Sequence, residues 1–286
     1  MFLFHSASLP AARVPLAAVC PRFARLRPLA LGFLLLAVAV APVFGAGGED
    51  VAGDSVWTLV AADQRAFYSG DGLLTLAAGV AAAGLLANTA MDTEVRDFYQ
   101  DKLRSPGTDR ASDAFRLDGD VRVVLPLYLS GFLVGKAWPE SAVGAACGQW
   151  GERALRAFML GAPPVLVLEN LLGSSRPEDG GDAGWHPFRG GAGVSGHAFL
   201  GAVTFLSAAR MAESAAGKGL LVAASVLSGL SRINDDEHYL SQVTLGWLIG
   251  YLAVAAVDVA PAGMVALSVL PGLVGGRPGV TLTRAF

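Results

Sequence analysis

The chain alternates long apolar stretches with short polar islands, and the stretches have the length of helices rather than strands. Apolar runs cover residues 73–91, 121–138, 141–173, 195–212, 217–230 and 237–257, which predicts six core helices from Leu73 onward. The first run is rich in small residues, among them Ala77, Ala78, Gly79, Ala81, Ala82, Ala83 and Gly84, which let helices approach closely in lipid. The third is interrupted by Glu152, Arg153 and Arg156 and by Pro163-Pro164, which predicts a kink, and it should stop at Gly173. Residues 92–120 alternate acids and bases around Ser105-Pro106-Gly107 and read as a solvated connection, and residues 174–193 read as a polar loop.

The ends of the chain follow different patterns. Arg13, Arg22, Arg25 and Arg27 precede an apolar run over residues 29–44 and the small residues Gly45-Ala46-Gly47-Gly48, the order of an export signal. Val43 and Gly45 suit cleavage before Ala46, while the same run is nearly long enough for an uncleaved anchor. Residues 47–72 carry Val56, Trp57, Leu59, Val60 and Phe67 at roughly helical spacing and read as an interfacial amphipathic segment. After residue 260, alternation over residues 265–270 and 280–286 around Pro271-Gly272 and Gly275-Gly276 suggests a β-hairpin, an accessory because one hairpin cannot close a barrel. The expected organisation is therefore a signal or anchor (1–46), an interfacial segment (47–72), a helical membrane domain (73–260) and a tail (261–286). The fold class is all-α, a polytopic membrane helical bundle.

Composition agrees. Hydrophobic residues make up 53%, charged residues 16%, and mean hydropathy is +0.50. Soluble domains carry about 25% charged residues, so much of this surface faces lipid. A net charge of -3 without a long basic run excludes nucleic acid as an expected partner. Cys20 and Cys147 lie in different segments and read as two inert thiols rather than a disulfide framework.

The polar islands carry the chemistry. Only four histidines occur, and two of them sit in Ser195-Gly196-His197 and, after Ser231-Arg232, at His238. A third island, Ser174-Ser175-Arg176-Pro177, lies upstream. Arg176 and Arg232 can each grip phosphate oxygens with two donors, and Ser195 with the Gly196 amide at a helix start adds dipolar donors. Gly196 lets backbone come close to an anion. His197 and His238, beside these groups, look like catalytic residues. Gln242, four residues past His238, can reach its imidazole on a helix.

The order Arg-Pro, Ser-Gly-His, Ser-Arg-x5-His resembles the type-2 phosphatidic acid phosphatase and vanadium haloperoxidase superfamily over residues 169–242. The family reads lysine, proline and aspartate where this chain has Glu169, Val194 and Gln242. The resemblance implies a phosphate cradle of Arg176, Ser195, Gly196 and Arg232, a nucleophilic His238 that becomes phosphohistidine, and His197 protonating the leaving group, with no metal or cofactor. Gln242 can fix the ring tautomer but carries no charge, and in Ser-His-Asp enzymes the analogous loss of the carboxylate costs about 10⁴ in rate, chiefly through the wrong tautomer. Asp235 or Asp236 could stand in, or Asp235-Asp236-Glu237 could simply start and cap the last helix. A carboxylate at Glu169 would repel a phosphate at 4 Å by about 4 kcal/mol at an effective dielectric of 20. It therefore pairs with Arg176 or Arg232, is protonated or points away, and Arg153, Arg156 or Arg189 could supply the missing cation. Trp185 and His186 could line the entrance or serve only the loop.

The expectation is an integral membrane phosphatase acting on a phosphorylated lipid or other small phosphate ester, with membrane lipid around it. A catalytically impaired family member that binds an anion is the alternative, and a haloperoxidase is weaker, since those enzymes are mostly soluble. Lys136, Arg153, Arg156, Arg210 and Lys218 cluster at the helix ends opposite the motif loops, which by the positive-inside rule points to a site on the non-cytoplasmic face of a multi-pass cell-membrane protein, whereas counting spans from an exported or N-in start gives the reverse parity.

Overall fold

The computed structural model describes residues 56–259, 268–274 and 277–283, so the expected signal or anchor, Cys20 and much of the tail lie outside the described residues. The helices are α1 (Val56–Phe67), α2 (Gly70–Ala87), α3 (Met91–Phe98), α4 (Pro106–Phe115), α5 (Val121–Ala137), α6 (Ala142–Leu172), α7 (Gly196–Ala209), α8 (Ala215–Ala224), α9 (Leu227–Asn234) and α10 (Leu240–Val259). A π-helical turn, Tyr99–Leu103, continues α3, and 3₁₀ turns cover Leu117–Gly119 and Pro177–Asp179. In the tail, β1 (Ser268–Val274) and β2 (Arg277–Thr283) pair antiparallel, with Val274 opposite Arg277.

Among the described residues three helical segments are long and apolar enough to cross a membrane: Gly70–Ala87, Ala142–Asp179 and Leu240–Asp258. The 20 residues of α10 span about 30 Å, the thickness of a bilayer's hydrocarbon core. Serines open the helices: the hydroxyls of Ser69, Ser141, Ser195 and Ser214 accept from the amides of Gly72, Gly144, Ala198 and Gly217. Glycines then bring them together. A β-carbon on Gly135 of α5 would stand 2.3 Å from the Gly148 Cα of α6, and one on Gly246 of α10 would stand 2.2 Å from the Ser195 carbonyl oxygen. The second contact matters most here, because it seats the start of α10 against the start of α7.

The long helix α6 ends at Gly173, whose φ of +58° is the left-handed conformation that glycine adopts without cost. It is one helix through Pro163-Pro164, the position at which a kink is expected.

Three expectations need correction. Residues 92–120 are not a bare connection: the π turn and α4 pack on α9 through side chains. Gln100 donates to the Ile233 carbonyl (2.8 Å), Ser112 Oγ to the Ser231 carbonyl (3.1 Å) and Asn234 Nδ2 to Asp109 (2.9 Å). Their alternating charges face partners in the fold rather than water alone. The expected helix over 217–230 divides into α8 and α9, because Ser225 Oγ donates to the Val222 carbonyl (2.6 Å) and accepts from Trp247 Nε1 (2.9 Å). The last helix begins at Leu240 rather than 237. Asp236 takes a φ of +61°, and the amides of Glu237 and His238 both donate to the Arg232 carbonyl, closing a turn after α9. Asp92 of α3, fully buried, accepts from the Ser241 amide (3.0 Å) and caps α10, so Asp235-Asp236-Glu237 neither start nor cap that helix.

Candidate functional site

Three loops meet at one end of the bundle: the segment after α6, the start of α7 and the turn before α10. Ser195 ties two of them, its amide donating to the Gln242 carbonyl (2.9 Å) and its hydroxyl capping α7. A β-carbon on Gly196 would meet nothing within 4 Å, so the space in front of the α7 N-terminus is open, and protein packing alone does not demand glycine there.

His238 is held by Gln242. The Nδ1 of His238 lies 2.7 Å from Gln242 Oε1, which also accepts from the Tyr239 amide (3.2 Å), while Gln242 Nε2 donates to Ser174 Oγ and to the Ser175 carbonyl, both at 2.9 Å. This arrangement fixes the proton. A peptide N–H can only donate and a peptide carbonyl can only accept, so the amide has one orientation, and Nδ1 must be the donor to Oε1. The lone pair of the neutral ring is then on Nε2. Burial drives the His238 pKa down to about 3, against the raising effect of the Gln242 hydrogen bond and with the charges of Arg176, His197 and Arg232 adding to the depression. Those three side chains therefore share the electrostatic neighbourhood of the imidazole.

Arg232 is buried, 4% exposed over its side chain, and reaches Glu237 Oε1 at 2.5 Å and Asp235 Oδ2 at 3.2 Å. Its Nε is buried with no hydrogen-bond partner among the described residues. Arg176 is more open and reaches Glu237 Oε2 and Glu178 Oε1, each at 3.2 Å. Glu237 thus bridges the two arginines. Asp235 is engaged by Ser112 (2.7 Å), and Asp236 by Arg96 (2.6 and 2.5 Å), so neither replaces Gln242 beside His238. The Arg96 guanidinium's pKa is raised by that hydrogen-bonded carboxylate.

His197 follows Gly196 and stands in the field of Arg232, Asp120, Arg176 and Arg122. Gly119 packs against it: a β-carbon there would be 2.8 Å from both the His197 Cβ and its carbonyl oxygen. Asp120 caps α5, pairs with Arg122 (2.6 Å) and has a pKa lowered by that partner.

Glu169 sits near the end of α6, where its carbonyl accepts from the Gly193 amide and its side chain lies within electrostatic range of Arg176. Arg176 forms its ion pairs with Glu178 and Glu237 and Arg232 with Asp235 and Glu237, so of the three alternatives for Glu169 an ion pair with either arginine is not the one observed. Neither α6 arginine supplies the missing cation: Arg153 pairs with Asp258 and Arg156 with Asp63 (2.7 Å). Trp185 packs on Gly84 of α2, its amide bonded to Asn88 (3.0 Å), and His186 pairs with Asp182 (3.2 Å).

Sequence reasoning missed Glu237 as a bridge, Asp120 and Gly119 beside His197, and Ser174 with Ser175 behind Gln242. The two serines precede Arg176-Pro177 directly, and adjacency to that motif was the available signal. An apolar cavity of about 300 Å³ adjoins the site, lined by Ala198, Leu230, Ile233, Leu240, Val243 and Trp247 among others. Among the described residues no group of three or more His, Cys, Asp or Glu is placed to hold a metal ion.

Residues 150–261 match the family model of the PAP2 superfamily, the type-2 phosphatidic acid phosphatase superfamily, and the match holds every motif position from Glu169 to Gln242. The match suggests phosphatase-type activity. No curated protein and no solved structure matches the chain.

Proposed function

We propose that this chain, of the PAP2 superfamily over residues 150–261, is an integral membrane phosphatase for a phosphorylated lipid or small phosphate ester or diphosphate, working through phosphohistidine. The observation that carries the reading is the amide of Gln242, oriented by Ser175 and Tyr239 so that His238 Nδ1 keeps its proton and Nε2 keeps its lone pair. A tautomer held in this way is what a nucleophilic imidazole needs, and an amide supplies it where the family has a carboxylate.

The steps follow from the charges. Arg176, Arg232, Ser195 and the Gly196 amide hold the phosphoryl oxygens. His238 Nε2 attacks phosphorus, the bond from phosphorus to the leaving oxygen breaks, and protonated His197 gives that oxygen its proton. Water then attacks the phosphohistidine, neutral His197 takes a proton from it, and the P–N bond breaks to release phosphate. Burial and the charge of Arg232 lower the His197 pKa to about 4 in the unliganded site, with Asp120 acting against them, so the negative charge of a bound phosphoryl group is what favours the protonated form that the first step requires.

The apolar cavity supports a lipid-linked substrate, since Ala198 and Leu240 line it within two residues of His197 and His238. The charge distribution supports a site on the non-cytoplasmic face: Arg153 and Arg210 both pair with Asp258, at the end of α10 remote from His238. A second reading, anion binding without turnover, is favoured by Glu237, a carboxylate already between the two arginines.

The test is phosphate release from phosphatidate, phosphatidylglycerol phosphate and undecaprenyl diphosphate by detergent-solubilised protein, beside His238→Ala. Wild type should release phosphate and the variant should lose at least about a thousandfold in rate. Equal inactivity of two folded proteins on all three substrates would move the binding role to first place.

A further inference from the structure

We propose that Glu237 is an internal anion that occupies the phosphoryl seat of the unliganded protein and is displaced by substrate, so that it sets how much negative charge a ligand needs to enter. This rests on the phosphatase reading of the same site and adds a specificity-determining residue to it.

The geometry of the bridge is that of a bound oxyanion. One carboxylate oxygen lies 2.5 Å from Arg232 Nη2 and the other 3.2 Å from Arg176 Nη1, so two oxygens of one group join two guanidiniums, as two phosphoryl oxygens would. The seat is incompletely used by Glu237: the buried Nε of Arg232 has no hydrogen-bond partner among the described residues, and the space before Gly196 is open. A tetrahedral group has further oxygens for both, which a planar carboxylate lacks.

Charge requires the displacement. Arg176 and Arg232 already face Glu178 and Asp235 at 3.2 Å each, so with Glu237 two cations meet three carboxylates. A dianion added to that set without the departure of Glu237 would place like charges in one site, which disfavours both.

The local structure permits it. The Glu237 side chain is 31% exposed and that of Arg176 41%, so the bridge has a solvent side. The backbone need not follow: the amides of Glu237 and His238 are both tied to the Arg232 carbonyl, and a side-chain rotation leaves the nucleophile in place. A dianionic phosphoryl group can outcompete one carboxylate for two guanidiniums, whereas a monoanion, with the same charge as Glu237, competes on equal terms and loses to the tethered group. The seat therefore selects for phosphate monoesters and diphosphates over diesters and sulfate esters.

The test uses the full-length protein in detergent and compares wild type, Glu237→Gln, Glu237→Ala and Arg232→Ala. Calorimetric binding of orthovanadate and of methyl sulfate is measured alongside KM and kcat on a phosphate monoester. Displacement predicts that both Glu237 variants bind vanadate about tenfold or more tightly, that methyl sulfate binding tightens as well, and that KM falls more than kcat changes. Weaker or unchanged vanadate binding in both Glu237 variants, with binding lost in Arg232→Ala, would overturn the displacement and leave the phosphatase reading standing. Absence of both vanadate binding and hydrolysis in all four proteins would overturn the two together.

Discussion

Two carboxylates, one before and one near the end of α10, each join two arginines. Glu237 bridges Arg176 and Arg232, and about 30 Å away along the helix Asp258 bridges Arg153 and Arg210. The chemistry of the two clamps is the same, yet their surroundings differ. At the Asp258 end the pairing leaves an excess of positive charge, all three side chains are 22–40% exposed, and none of the described histidines is near in sequence. At the Glu237 end one arginine is buried, one of its donors is unused, acids outnumber arginines, and two histidines lie in the same field. A shared carboxylate is thus a stabilising device in general. It becomes part of a functional site where uncommitted donors and a nucleophile surround it.

The largest effect that would sharpen this contrast lies at Gln242. Gln242→Ala leaves the Ser175 carbonyl, the Tyr239 amide and His238 Nδ1 without their partner. The expected result is a fall in kcat of about 10²- to 10⁴-fold through the wrong tautomer, with a stability loss of about 3 kcal/mol from buried unpaired groups. Gln242→Asp restores the residue of the family pattern, but it shortens the side chain and removes the donor to Ser174 and Ser175. It should therefore be slower than wild type by at least about tenfold. An aspartate variant as fast as wild type would show that charge at this position outweighs the amide network, and kcat measured on one substrate decides it.

A smaller effect is expected at the opposite clamp. Asp258→Asn removes the counter-charge of Arg153 and Arg210 and should cost about 2 kcal/mol, less than a fully buried pair because solvent screens all three groups. KM and kcat should stay within about twofold, since no charge near His238 changes. A thermal midpoint lowered with unchanged kinetics would separate the two ends, and a KM shift comparable to that of Glu237→Gln would erase the distinction.

The parts of this arrangement that periodicity and motif could carry were legible. Helix-length apolar runs marked α2, α5, α6, α7 and α10, Gly173 marked the end of α6, and the three islands named side chains that do converge on His238. Gln242 was named from a spacing of four on a helix, but His238 precedes α10, and the 2.7 Å bond arises because Gln242 Oε1 turns back over the start of α10 to meet the Tyr239 amide and His238 Nδ1. What was not legible depends on contacts distant in sequence. Ser112 meets Asp235 and Arg96 meets Asp236 across more than a hundred residues, so charges that alternate like a solvated loop are internal ion pairs and hydrogen bonds. Asp236 in the left-handed region likewise carries no sequence signal, because an aspartate takes that conformation only where its surroundings hold it.

The smallest effect concerns pH and isolates the buried imidazole. His238 has a folded pKa of about 3 and an unfolded value near 6.5, so between these values the unfolded chain binds the extra proton and stability falls as pH falls. From pH 6.5 to 5.5 this amounts to about 1 kcal/mol. Buried carboxyls act in the opposite direction. Burial raises Asp118 to about 6 and also raises Asp92, and a carboxyl raised on folding takes up its proton first in the folded state, which adds stability as pH falls. The net slope of the wild type therefore mixes both signs, but the difference between wild type and His238→Gln does not. Thermal midpoints in detergent at pH 6.5 and 5.5 should show wild type losing more than the variant, by about 1 kcal/mol. Equal losses would mean that the ring takes up a proton as readily in the folded site as in the unfolded chain, and the neutral, Nδ1-protonated nucleophile would lose its physical basis.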